Sequence, residues 1–278
     1  MGRTLGQSRT SGFARARARH GLLLAAAAAL LLFAAPAHAM MMQADDQFTC
    51  VEAGGDVSPF MHAHHATVLR LIVPYRGRSN AVACASRAAA HGYRVYVSLQ
   101  YDNAWSPAGV AGYFRRTLPQ FAPYAWAVSV GNEQDLTIQG APATSAKYRA
   151  VWNAVEPVLA RIAPHAIRVY GEVSPFGFRF LEQSFQPRRP RGAQVIAFHC
   201  YDVKYGGLSI VPQVAAWAAS ERLPLWCSEM SDSPRRSRHS WLNTDSPARW
   251  NALVAGMKAR SPNLKMVSYY RWPEIGAL

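Results

Sequence analysis

The sequence predicts an α/β chain closed into a compact (β/α)8 (TIM) barrel. Eight short apolar runs bounded by turn residues alternate with helix-like runs, and that alternation implies a parallel sheet. Eight such units fit into about 240 residues, the usual size of one closed barrel. No Gly-x-Gly-x-x-Gly follows the first run, so an open dinucleotide-binding sheet has no support.

The elements follow in order. Phe48–Glu52 reads as the first strand and Thr67–Val73 (Thr-Val-Leu-Arg-Leu-Ile-Val) as the second. Between them Gly54 to Ala66 holds two glycines, Pro59 and three histidines, so the first helix is expected to be poorly formed. Ala-rich Asn80–His91 is helical and Gly92 stops it. Tyr93–Leu99 is the third strand, with Val95 and Val97 alternating. Pro107–Phe121 is a helix and Ala125–Val130 the fourth strand. In Thr144–Ala163, Val151, Trp152, Val155, Val158, Leu159 and Ile162 line one helical face, and Pro157 predicts a kink or break. Strand Ile167–Gly171, a short helix at Phe178–Phe185, strand Gln194–Cys200 and helix Ile210–Ser220 come next. Strand Leu223–Ser228, helix Ser246–Arg260 with Ser246 as its cap, and strand Leu264–Tyr270 complete the set. Six residues follow Trp272, so no eighth helix is expected.

The first 39 residues belong to a different class of segment. Arg3, Arg9, Arg15, Arg17 and Arg19 precede an apolar stretch from Gly21 to Ala35 and a small-x-small site, Ala37-His38-Ala39. That order reads as a secretory signal peptide, 1–39, ahead of one barrel domain, 40–278. The apolar stretch is shorter than the roughly 20 residues that span a bilayer, so no stable membrane insertion is expected after cleavage. The expected location is outside the cytoplasm, extracellular or periplasmic. Cleavage takes five arginines and no acid from the formal +14, leaving +9. Much of that charge sits in Arg188-Arg189-Pro190-Arg191 and Arg235-Arg236-Ser237-Arg238, which read as solvated loops or as an attraction to an anionic polysaccharide. No nucleic-acid-binding motif accompanies them, so nucleic acid is not an expected partner.

Cys50, Cys84, Cys200 and Cys227 allow three complete pairings, and export permits disulfides. If His199 and Glu229 both face the barrel interior, strand alternation puts Cys200 and Cys227 on opposite faces. That argues against a bond between them unless the strand ends are irregular. Cys50–Cys84 stays open.

Two glutamates occupy matched settings. Glu133 ends Ala-Val-Ser-Val-Gly-Asn-Glu and Glu229 ends Leu-Pro-Leu-Trp-Cys-Ser-Glu, each where an apolar strand meets a loop. In a parallel barrel that edge is the catalytic face, and two facing carboxylates are what glycosidic hydrolysis requires. The other strand ends supply Arg70, Asp102, Asn132, Glu172, His199, Tyr201 and Trp272. Each has a structural alternative. Arg70 inside an apolar strand needs a buried acidic partner, His199 could be a core histidine, and Glu172 and Asp102 read equally as substrate contacts or structural groups. Trp105, Tyr101 and Trp241 lie in loops on the same side and could floor sugar subsites. Trp126, Trp152 and Trp217 read as packing residues and Glu52 as structural. His62-x-His64-His65 lacks nearby acids or cysteines, so no metal and no cofactor are expected.

This set resembles the large clan of retaining glycoside hydrolases with (β/α)8 barrels, which holds many cellulases, mannanases and β-1,3-glucanases. The matching positions are Arg70 on the second strand, Asn132-Glu133 ending the fourth, His199 and Tyr201 after the sixth, Glu229 ending the seventh and Trp272 after the eighth. Many members carry Pro after the Asn-Glu pair, where this chain has Gln134. The resemblance spans about residues 48–272 and is strongest to compact, single-domain members. It implies Glu133 as acid/base and Glu229 as nucleophile of an enzyme that degrades a polysaccharide; the aromatic loop residues suggest endo cleavage, the first 39 residues secretion, and a monomer is expected. Two readings compete: a non-hydrolytic carbohydrate-binding barrel, and a transglycosylase using the same residues.

Overall fold

The computed structural model describes residues 40–46, 48–76, 79–201, 207–230 and 247–269. Eight strands run β1 Met41–Asp46, β2 Val68–Val73, β3 Arg94–Leu99, β4 Ala125–Val130, β5 Ile167–Val173, β6 Val195–Cys200, β7 Leu225–Met230 and β8 Leu264–Tyr269. They close into a barrel in sequence order, every pairing parallel, with β1 returning to β8. Each of the first seven strands is followed by its helix: α1 Ser58–Ala63, α2 Ala81–Ala90, α3 Pro107–Thr117, α4 Ser145–Ile162, α5 Phe178–Ser184, α6 Gly207–Ser220 and α7 Pro247–Arg260.

Alternation along the strands divides the interior from the shell. Leu69, Leu71, Val95, Val97, Val128 and Val130 point outward and pack against helix residues such as Val151, Val155 and Leu159 of α4. Each such side chain, fully buried, contributes about 1.5–3 kcal/mol. Inside the barrel, one end is filled by Val68, Tyr96, Ala127, Val169, Val195, Ala197, Trp226 and Met266. Trp126 stacks on Trp226 with ring centroids 5.2 Å apart, and the Arg94 guanidinium covers the Trp126 ring at 5.1 Å. Further interior positions are polar: Gln43, Asp45, Arg70, Ser98, Ser129, Glu172, His199, Glu229 and Ser268 are all buried. That polar layer holds the candidate site.

Several expectations are corrected. Phe48–Glu52 is a π-helical turn, and the first strand precedes it at Met41–Asp46. That strand points Gln43 and Asp45 into the polar layer, so it carries no apolar run to betray it. Helix α4 continues through Pro157 without a break. Pro157 and Asn153, the residue whose carbonyl loses its partner, both face solvent, so water can satisfy that group. Helix α1 is six residues long, in line with a poorly formed first helix.

Cys50 bonds to Cys84, and Cys200 bonds to Cys227, against the alternation argument. The reason is a bulge in β7. Phe198 pairs with Cys227 but His199 pairs with Glu229, so Ser228 is an extra residue. The bulge turns Glu229 inward while Cys227 stays with Cys200 in the outer core. The expected export segment (residues 1–39), Ser246, the region after Tyr269 where an eighth helix would stand, Trp241, Trp272 and the arginine cluster at 235–238 lie outside the described residues.

Candidate active site

Arg70 is the hub. It sits on β2 with no exposed surface. Its Nη1 donates to Glu229 Oε1 at 2.7 Å and to Asp45 Oδ1 at 3.2 Å. Its Nη2 donates to Asn132 Oδ1 at 2.5 Å and to Glu172. One guanidinium therefore ties β1, β2, β5, β7 and the loop after β4 together. Tyr201 donates its hydroxyl to the other oxygen of Glu229. A carboxylate that takes one charged and one neutral donor is held as an acceptor in a fixed orientation.

Glu133 reaches the same place from β4 by a forced turn. Gly131 has φ +88°, and a Cβ there would sit 2.6 Å from the Gln134 side chain. Glu133 itself has φ +51° and Glu172 has φ +58°. Non-glycine residues in this region each cost on the order of 1–2 kcal/mol. The two are locked together where the Glu133 N–H donates to the Glu172 carbonyl at 2.7 Å. Gln134, at the position where a Pro is common, is buried. Its carbonyl accepts from Asn103 Nδ2 and the Ala143 N–H, closing the loop behind Glu133.

His199 joins the two carboxylates. Its Nδ1 lies 2.9 Å from Glu133 Oε1 and 3.5 Å from Glu229 Oε2, and its Nε2 lies 3.6 Å from Glu172 Oε2. One carboxylate oxygen each of Glu133 and Glu229, with a His199 nitrogen, fall within 4.8 Å of one another. These three are also the residues, among those described, whose ligand atoms cluster closely enough for a metal ion. His62 and His65 are exposed instead, and the His64 ring packs on Phe60.

The charges are set by this crowding. Burial raises the Glu133 carboxyl, and the Glu229 charge adds to that, while the His199 hydrogen bond opposes it; the net shift is upward. Burial would lower His199, but Glu229, Glu133 and Glu172 around it hold the ring protonated up to about 10. Burial works to raise Glu172 as well, yet Arg70 and His199 overcome it and keep this carboxyl low. The site thus sets a carboxyl with a raised pKa, Glu133, beside an imidazolium and a guanidinium.

Of the expected substrate contacts, Asn132, Tyr201 and the two glutamates come together. Arg70, His199 and Glu172 come with them, but all three are fully buried beneath the carboxylates. Arg70 holds Asn132, Glu172 and Glu229, and His199 lies between Glu133 and Glu172. Asp102 lies at the end of β3, accepting from Arg76 Nη2 at 2.5 Å and from the Ala104 N–H. The loop hydrogen bond and Arg76 keep its carboxyl low, so it fits a structural part in that loop. Trp105 is half-buried edge-on between Tyr75 and Tyr113, and Tyr101 is buried in the core rather than flooring a subsite.

Sequence reasoning missed Gln43, Asp45, Tyr96 and Ser268. Gln43 Nε2 donates to Asp45 Oδ1 and to the Ser228 carbonyl, each at 2.8 Å. Ser268 donates to Asp45, and Tyr96 donates to Glu172. The available signal was Arg70, which required buried acids. Tyr96, placed between Val95 and Val97, had to face inward by the same alternation.

No protein-family model and no curated protein matches the chain. Solved structures do. An exo-β-1,4-mannosidase from Opitutaceae bacterium strain TAV5 superposes with TM-score 0.63 at 15% identity, over 86% of this chain and 52% of that one. A monomeric β-xylosidase from Caulobacter crescentus CB15 gives TM-score 0.59 at 15% identity, over 86% and 60%. The catalytic domain of a Thermobifida fusca endoglucanase gives 0.55 at 15%, over 84% and 79%. The chain spans about half the length of the first of these. At such identities the likeness establishes the shared barrel fold.

Proposed function

We propose that this chain is a retaining glycoside hydrolase that cleaves a β-linked polysaccharide by double displacement. The observation that carries the reading is the Glu133–Glu229 pair, with carboxylate oxygens within 4.8 Å across His199. Retaining enzymes place these groups about 5–5.5 Å apart, and inverting ones leave about 6.5–9.5 Å for a water. The solved structures of like fold support it, since their names record action on β-1,4-mannosides, β-xylosides and glucans.

Each residue has a task on this reading. Glu229, oriented by Arg70 and Tyr201, attacks the anomeric carbon and forms a glycosyl ester. Glu133 gives its proton to the departing oxygen. With Glu229 esterified its charge is gone, so Glu133 becomes a stronger acid and serves as base toward the incoming water. Asn132, its Oδ1 fixed by Arg70, turns its amide toward the sugar 2-hydroxyl, a contact that strengthens in the transition state. Trp272, outside the described residues, is of the side-chain type that stacks on a pyranose ring.

The substrate is a polymer cut internally. The mature charge of +9 favours an anionic polysaccharide, and the leader directs an otherwise monomeric protein out of the cytoplasm. Reducing-end release should be measured across β-glucans, mannans, xylans and anionic bacterial polysaccharides, with Glu229→Ala and Glu133→Ala beside the wild type. Activity on one polymer that vanishes in Glu229→Ala is expected. Binding to a glycan without release would instead favour a carbohydrate-binding barrel.

A further inference from the structure

Asp45 has no place in the double displacement, yet it is built into the same network. It lies on β1 directly opposite Arg70 in the β1–β2 register. Both side chains have no exposed surface. Oδ1 accepts from Arg70 Nη1 at 3.2 Å and from Gln43 Nε2 at 2.8 Å, and Oδ2 accepts from Ser268 on β8. Gln43 in turn holds the carbonyl of Ser228, the bulge residue that turns Glu229 inward. Asp45 therefore reaches Glu229 by two routes, a shared guanidinium nitrogen and a backbone clamp.

We propose that Asp45 is a positioning residue for Glu229, competing with it for Nη1 of Arg70. The inference rests on the glycosidase reading for its catalytic consequence, but the competition itself does not. Nη1 makes its shorter contact to Glu229, 2.7 Å against 3.2 Å to Asp45. A neutral Asp45 leaves that nitrogen to Glu229. An anionic Asp45 draws it back toward β1 and loosens the nucleophile's orientation.

The charged groups around Asp45 set when this happens. Arg70 faces it from β2, Glu229 from β7 and Glu172 from across the barrel on β5, while β8 presents the Ser268 hydroxyl. Burial raises the Asp45 carboxyl most, Arg70 lowers it, and Glu229 and Glu172 raise it again, to about 7. The switch from neutral to anionic Asp45 then falls near neutral pH.

Two measurements test this, one of which needs no catalysis. Carboxyl 13C NMR of aspartate-labelled protein should show Asp45 titrating near neutrality. In Glu229→Gln, which keeps the shape and removes the charge, its midpoint should fall by about one pH unit or more. An unchanged midpoint overturns the proposal.

The second is covalent trapping by 2,4-dinitrophenyl 2-deoxy-2-fluoro-β-glycosides of glucose, mannose and xylose. A Glu229 oxygen forms the ester to C1 while the C1–O bond breaks. The leaving dinitrophenolate carries off the electron pair and needs no proton from Glu133. In the wild type the trapping rate should fall several-fold between about pH 6 and 8, and in Asp45→Asn by less than about twofold. Parallel profiles in the two proteins overturn the positioning role. If glycosides are cleaved but the NMR midpoint stays fixed, the proposal fails and the glycosidase reading stands. If the midpoint moves but the glycan panel stays silent, the competition stands and the glycosidase reading fails.

Discussion

At Glu133 burial and the neighbouring Glu229 charge push the carboxyl's pKa upward against the His199 hydrogen bond, the direction a general acid needs. The sign of its pH dependence follows. The proton is present below the elevated pKa and lost above it. Hydrolysis of substrates with poor leaving groups should therefore fall as pH rises through that value. Glu133→Ala should remove this alkaline limb and cost about 10²–10⁴-fold on such substrates. A dinitrophenyl glycoside should be spared in the glycosylation step, and comparing the two substrate types across pH checks it. Glu172 belongs to the same scale but a different role. It is fully buried, and Arg70, Tyr96 and His199 surround it. Glu172→Gln should lower unfolding free energy by about 3–5 kcal/mol, because it leaves buried cations with one partner fewer. A urea titration of that variant against Glu52→Gln, an exposed control, measures the difference. Arg70, Glu133, His199 and Glu229 were legible in the sequence because each is a polar group stranded in or just after an apolar run. Asp45 was not, since the strand that carries it alternates Met, Gln, Ala and Asp and shows no apolar stretch.

Among the elements, the βα units from β2 to α7 were readable because their outward faces are apolar at the period of a strand or a helix. β1 failed because its inward face serves the polar layer. The bulge in β7 failed for a related reason. Alternation assumes one residue per step, and Ser228 breaks that count. The bulge gives the second disulfide a functional place. Cys200 and Cys227 adjoin His199 and Glu229 in sequence but lie on the outer side of the sheet. Cys50–Cys84 instead ties the turn after β1 to α2. Replacing Cys50 and Cys84 by Ala should lower stability by about 3 kcal/mol and leave turnover largely intact. Replacing Cys200 and Cys227 should lower both. Thermal unfolding and kcat measured side by side distinguish the pairs. The loops after β4 and β5 carry two exposed apolar side chains, Ile138 and Phe176. Asp135 accepts from the Ser174 N–H and hydroxyl and so fixes the turn that presents Phe176. Phe176→Ala should raise KM on polymer several-fold with kcat on a small aryl glycoside unchanged.

For the whole molecule, the ion network makes stability depend on pH in a stated direction. His199 is held protonated to about 10 against an ordinary value of 6.5. Its contribution is fully present below about 6.5 and is lost as pH rises through about 10. Asp45, raised to about 7 from 3.8, acts in the same sense at lower pH, because its ionisation is harder in the folded state. Glu172, held low, acts oppositely and is lost only in acid. The urea midpoint should therefore decline between about pH 6.5 and 10, by a few kcal/mol in free energy, and His199→Gln should flatten the upper part of that decline. The closed barrel explains why these terms add up at one place. Side chains from β1, β2, β5, β6, β7 and the loop after β4 converge on a layer one guanidinium can reach. On the proposed reading Glu229 attacks and Glu133 assists by double displacement. The most direct test is the anomeric configuration of the first-formed product, followed by 1H NMR on the polymer that the wild type cleaves. The β anomer should appear first and mutarotate slowly to the equilibrium mixture. The α anomer appearing first would mean a single displacement and would contradict the assignment of Glu229 as nucleophile.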